Sequence, residues 1–270
     1  MSASAAEPTA DVASFLEDWL TQSPEMDVAL VFTGAGRQRS QLWGAILNQW
    51  FGAIFSPSDT SVALAKLSWW AQAIVEESEP SAHPLVAAFL RQCVPAIGVA
   101  HWQGLHDAAA QLAALDASPG DIDAMIASRL PVARAIVEIE QALWPQAGAG
   151  DAVAVARSLV LWQWRWCVHA EGTRVALLPL QLLARHGVRL NEAFVDPVER
   201  SAPVRAVWQD LAGALLSVPA AIHGPRLRRI RTRLDVLSLK RLHSGHAQPF
   251  PASGLDVLWQ CWQGGRGTPA

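Results

Sequence analysis

The side chains best equipped for chemistry crowd one stretch: Arg226, Arg228, Arg229, Arg231, Arg233, Lys240 and Arg241 fall on a single predicted helix. Guanidinium forks hold phosphate and carboxylate at two points at once, so this run suits a phosphate, a lipid surface or an acidic protein partner. Leu227, Ile230, Leu234 and Leu237 make the apolar face of the same helix, and the plainer reading, which we prefer, is a solvated helix face. His243 and His246 stand three apart and can share a face, but no acid or cysteine beside them completes a metal set. His101 and His106 are five apart and do not share a face, and the adjacency of His106 and Asp107 is no evidence of a dyad. His169 has the chemistry of a general base, yet no nucleophile motif surrounds it, and a core histidine is the simpler reading. Asp121 and Asp123, like Glu138 and Glu140, are two apart and face different sides of a helix, so neither pair can aim at one metal. Asp59 stands alone after a Ser-Pro-Ser turn, as a helix cap would. No metal site is expected from these residues.

Cys93, Cys167 and Cys261 are far apart, odd in number and without a C-x-x-C spacing, which excludes a disulfide framework and a zinc ribbon and fits a reducing cytoplasm. With 51% hydrophobic and 17% charged residues the chain is too apolar for disorder, yet no uncharged run reaches the roughly 18 residues of a membrane span, so a soluble protein is expected. A net charge of −3 gives no reason to expect nucleic acid. Residues 1–9 read as a loose tail without the basic and apolar regions of a secretory leader.

The elements that must position these residues are helices. Val12, Phe15, Leu16, Trp19 and Leu20 share one face after Asp11, and similar periodicity predicts helices at about 38–55, 60–78, 84–94, 99–116, 119–144, 151–170, 175–186, 198–217, 225–244 and 254–263. Ser118 is read as a cap, with Pro119 at the first helical position and Asp121 in the first turn, and Gly187 as a left-handed stop. No alternating β-branched run asks for a sheet and no long repeat asks for a solenoid. The expectation is an all-α, single-domain helical bundle over residues 10–265.

From about Arg37 to Gly187 the order of motifs resembles the squalene/phytoene synthase family, which has an all-α isoprenoid synthase fold. Lys66-Leu67-Ser68-Trp69-Trp70 is similar to that family's R-L-x-W-W helix, and His83-Pro84-Leu85 to its HP-[LV] start of the next. Leu177-Leu178-Pro179 through Gly187-Val188 is similar to its [VI]-Y-L-P-x-[ED]-x-[LM]-x-x-x-G-[VI] signature. The helix carrying Leu255, Trp259 and Trp262 fits its usual C-terminal close. Where the family carries its first acidic motif this chain has Asn48, Gln49 and Trp50. Where the second, N-x-x-R-D-x-x-E-D, would fall it reads Trp162 to Ala170, keeping Arg165 but placing Trp166, His169 and Ala170 at the three carboxylates. The family's substrate-facing tyrosine cannot exist in a chain without tyrosine.

Head-to-head condensation of prenyl diphosphates needs Mg²⁺ on the leaving group, and Mg²⁺ is held by carboxylates. The resemblance therefore implies a pseudoenzyme, with no cofactor and no catalytic residue, acting through a protein partner or a lipid contact, peripheral to a membrane rather than across it. A branch resembling respiratory complex I assembly factors keeps the fold in this way. Two alternatives stand beside it: a Mg²⁺-dependent prenyltransferase, which needs other acids in the centre, and an isoprenoid- or lipid-binding module, which needs an open apolar cavity. Trp69, Trp70, Trp162 and Trp166 are the residues expected to line such a cavity. An indole-filled centre goes with the non-catalytic reading.

Overall fold

The computed structural model describes residues 10–75, 83–93, 97–169, 178–193, 201–246, 250 and 254–266. Among them there are twelve α-helices and no strands: α1 (Ala10–Gln22), α2 (Glu25–Val31), α3 (Arg37–Phe55), α4 (Thr60–Val75), α5 (Pro84–Cys93), α6 (Val99–Ala113), α7 (Ile122–Leu143), α8 (Ala152–His169), α9 (Leu180–His186), α10 (Ala202–Ser217), α11 (Arg226–His243) and α12 (Leu255–Gly265). None of the described helices is long and apolar enough to cross a membrane. The tail read at residues 1–9 lies outside the described residues.

The bundle is built around α3. From Leu42 to Phe55 nearly every side chain is buried, whichever way it points, as expected of a helix that is apolar all round. It packs against α1, α4, α5, α6 and α8, while α7 and α8 lie along one another and α11 lies between α10 and α12. Buried residues from Val12 on α1 to Cys261 on α12 belong to one contiguous apolar cluster. Each fully buried Leu or Ile in it contributes about 1.5–3 kcal/mol of transfer free energy.

Two helix ends carry particular chemistry. Gly187 adopts φ 63°, ψ 29° and stops α9 in the left-handed conformation read from the sequence. The start of α7 differs from the reading: Asp121, not Ser118, is the cap, its carboxylate accepting from the Ala124 N–H at 2.8 Å. Pro119 and Gly120 precede the helix, and their carbonyls accept the first N–H groups of α9, from Leu180 at 2.9 Å and Gln181 at 3.0 Å. Those donors have no partner within their own helix, so the loop before α7 completes the start of α9.

Candidate functional site

The helices that carry the two segments read against acidic motifs, α3 and α8, meet just beyond Asn48, Gln49 and Trp50. Phe51 meets Trp162 edge to face with centroids 4.8 Å apart, and the Trp166 ring lies over Gly52, where an added Cβ would stand 3.2 Å from it. Asn48 and Trp50 are buried and Gln49 half-buried. The Asn48 carbonyl oxygen and the Trp50 indole N–H are buried without a hydrogen-bond partner among the described residues. His169 ends α8, but its side chain and the whole of Ala170 lie outside the described residues.

Arg165, which the resemblance sets at a motif arginine, is buried and faces an acid from elsewhere. Its Nη2 donates to Glu25 Oε1 at 2.6 Å and its Nη1 to the Gln22 carbonyl at 2.8 Å, while the guanidinium stacks on Phe250 at 3.9 Å. Burial lowers its pKa, partly opposed by Glu25. The same Glu25 oxygen accepts from Arg231 Nη1 at 3.1 Å, and Arg231 Nε donates to Asp235 Oδ1 at 2.9 Å. Ser158 on α8 closes the other oxygen of Asp235. Glu140 on α7 takes a two-point bond from Arg228, Nη2 to Oε1 at 2.6 Å and Nε to Oε2 at 3.0 Å, and also accepts the Trp43 indole N–H at 3.0 Å. Burial works against the Arg228 charge, but Glu140 outweighs it and the Arg228 pKa is raised. The centre thus holds carboxylates, and each is occupied by arginine. No group of three or more His, Cys, Asp or Glu residues among those described stands close enough to hold a metal.

The space left is small. A cavity of about 40 Å³ lies between Trp19, Gly44, Phe51, Glu140, Trp162 and Arg231, room for only a few waters at about 10–15 Å³ each. Trp19 forms one wall: a Cβ on Gly44 would be 2.2 Å from its ring, so the indole sits where any other residue at that position of α3 would place a side chain. Trp43, Trp50 and Trp102 are buried in a separate aromatic cluster, with Trp43 and Trp102 centroids 6.3 Å apart and Trp50 and Trp102 centroids 6.5 Å apart.

The four tryptophans expected to line one cavity do so only in part. Trp162 borders the small central cavity, with Arg231 5.1 Å above its ring. Trp69 and Trp70 belong to a separate cluster on α4, where they and Phe15 surround the His83 ring at 5.4, 4.8 and 4.7 Å. Trp69 is 49% exposed, which is not the state of a tunnel wall. Their role is to seat His83, whose pKa is lowered by burial.

The arginine helix also differs from the solvated face preferred above. Arg228 and Arg231 point inward, so they are available to neither solvent nor a partner. Arg229 and Arg233 are half-buried and tie α11 to α12 through the Gly264 carbonyl at 3.1 Å and the Gln263 side chain at 2.6 Å. Arg226 alone of the five is exposed. The physical reason is the set of acids on α2, α7 and α11 itself, which makes a charged face the inner one.

His243 and His246 each donate Nδ1–H to a separate backbone carbonyl and do not converge. His106 does bond Asp107, Nδ1 to Oδ1 at 3.1 Å, and its Nε2 lies 3.3 Å from Ser68 Oγ, a contact that the sequence adjacency alone gave no evidence for. Ser68 sits mid-helix on α4, so its own N–H is held in the helix ladder and offers no oxyanion donor. Glu25 escaped the sequence reading because α2 has seven residues and follows Ser-Pro; Asp235, four residues after Arg231, carried a signal in that spacing.

Compared with protein-family models and with curated proteins, this chain matches none.

Proposed function

We propose that this chain is a non-catalytic protein of the squalene/phytoene synthase type, built on the isoprenoid synthase bundle, which works by contact with a protein partner. The observation that carries this reading is the closed centre. A small-molecule pocket usually encloses about 300–1,000 Å³, whereas the central cavity here is about 40 Å³ and is lined by the indoles of Trp19 and Trp162 and by Glu140, whose carboxylate is bound by Arg228. A prenyl chain has no room there, and an acid already shared by two arginines is a poor Mg²⁺ ligand.

The outer face of α12 supports the contact part of the reading. Leu255, Leu258, Trp259 and Trp262 recur at i, i+3, i+4 and i+7 and are all exposed, with the two indoles stacked at 4.8 Å and Arg266 over Trp262 at 4.1 Å. That spacing is how an amphipathic helix enters an apolar groove on another protein, and tryptophan and arginine are the residues that anchor such interfaces.

The test is incubation of the purified protein with farnesyl and geranylgeranyl diphosphate, with and without Mg²⁺, measuring inorganic diphosphate release and products. No release in either condition is expected. Magnesium-dependent release overturns the reading in favour of a prenyltransferase.

A further inference from the structure

Outside the filled centre, a groove of about 590 Å³ opens between the start of α3, the turn at Pro145–Ala147 and the start of α11. Arg39, Arg226 and Arg229 line it, with the Trp144 indole and Pro145 along one wall, and no carboxylate among the described residues does. None of the three arginines takes part in an ion pair among the described residues. Arg39 and Arg229 are held in place by backbone carbonyls, from Arg39 Nη1 to Leu143 at 2.8 Å and from Arg229 Nη1 to Gly224 at 2.8 Å, which leaves each guanidinium further donors. Arg226 has no side-chain hydrogen-bond partner among the described residues and lies directly over Gly34, where a Cβ would be 2.8 Å from its Nη1 and where φ is +64°. Burial lowers the Arg229 pKa, and Arg226 and Arg233 lower it further, so the positive charge gathered here is uncompensated.

Two helix starts add to that charge. The helices α3 and α11 have 19 and 18 residues, neither has a side-chain cap, and neither carries an acid in its first turn. The Arg37 N–H of α3 is taken by the Gly34 carbonyl, and the positive ends of both helix dipoles lie at the groove beside the guanidiniums. Three arginines without an acid, a left-handed glycine that makes room for one of them, and two uncapped helix starts are together costly unless an anion is bound.

We propose that this groove binds a phosphate-bearing ligand, its phosphate or diphosphate held by Arg39, Arg226 and Arg229 and its planar or apolar portion laid against Trp144 and Pro145. The phosphate can belong to a soluble molecule or to a lipid headgroup, and the chemistry of the groove is the same for both.

The test is isothermal titration of the full chain with inorganic diphosphate, without Mg²⁺ and at physiological ionic strength, beside flotation with phosphatidylcholine vesicles with and without phosphatidic acid. Arg226→Glu is the reporting variant, since Arg226 is exposed and has no ion pair among the described residues, and Lys240→Glu, at an exposed site near the far end of α11, is the control. The expected result is saturable binding of diphosphate that Arg226→Glu weakens by about tenfold or more and Lys240→Glu leaves unchanged. Binding to phosphatidic acid vesicles that the same variant removes and free diphosphate competes away also supports the site and assigns the phosphate to a headgroup. Diphosphate binding without vesicle binding assigns it to a soluble ligand. Absence of binding to both probes, or equal losses in the two variants, overturns the proposal.

Discussion

Glu25 and Arg165 meet at 2.6 Å in the interior although 140 residues separate them in sequence. One carboxylate on the seven-residue helix α2 also holds Arg231, so a short element ties α8 to α11. Without Glu25, Arg165 is left with the Gln22 carbonyl and Ser23 and loses its carboxylate, while Arg231 is left with Asp235; breaking a buried pair in this way costs about 3–5 kcal/mol. Glu25→Ala is therefore expected to lower the unfolding free energy by about that amount, measured by urea denaturation. A loss of under about 1 kcal/mol would mean that the two arginines find other acceptors.

Trp19 and Gly44 form a second coupled pair. Gly44→Ala places a methyl inside the indole and is expected to cost about 1–3 kcal/mol through overpacking. In a Trp19→Leu background the same substitution should cost much less, because the obstructing ring is gone. A double-mutant cycle measures the coupling directly, and strictly additive values would refute the contact.

His83 gives a pH dependence whose sign is fixed by its seat between Phe15, Trp69 and Trp70. Its folded pKa lies below the ordinary 6.5 because burial disfavours the imidazolium. The unfolded chain then binds the proton more readily, so His83 contributes stability that is present above about pH 6.5 and is lost as pH falls through the folded value. Denaturation midpoints at neutral and mildly acidic pH should fall less steeply in His83→Phe than in the parent protein.

Cys261 behaves in the opposite sense. Burial, with a smaller effect from Glu25, raises its pKa from 9.0 to about 12. The folded state keeps the proton, so the thiol supports the fold up to about pH 9 and this contribution is lost as pH rises toward 12. Alkylation followed by peptide-resolved mass spectrometry should label Cys261 about a thousandfold more slowly in the native protein than in urea, since thiolate is the reactive form. Rapid native labelling would show that α12 opens readily.

Much of the helical framework was legible because apolar periodicity is a local property. The runs that became α3, α7, α8 and α11 announce themselves within their own segments, and Gly187 ends α9 by its backbone alone. The seven residues of α2 hold too few turns for a period to emerge. The central network was not legible for a different reason. Whether Arg228 faces water or the interior depends on Glu140, 88 residues away, and nothing within α11 specifies that distance. The same limit applied at α7, where Ser118 and Asp121 are both good caps and the choice follows from the use α9 makes of the Pro119 and Gly120 carbonyls.

The bond between Glu25 and Arg231 spans 206 positions of a 270-residue chain. During synthesis the amino-terminal helices emerge long before α11 does, and until then the carboxylate on α2 lacks one of its two cations. The interior consequently cannot be completed as the chain leaves the ribosome, however early α1 to α6 assemble. Contacts of such long range slow folding and leave partly closed states exposed, so this protein is expected to depend on its last quarter for a step that its first tenth begins.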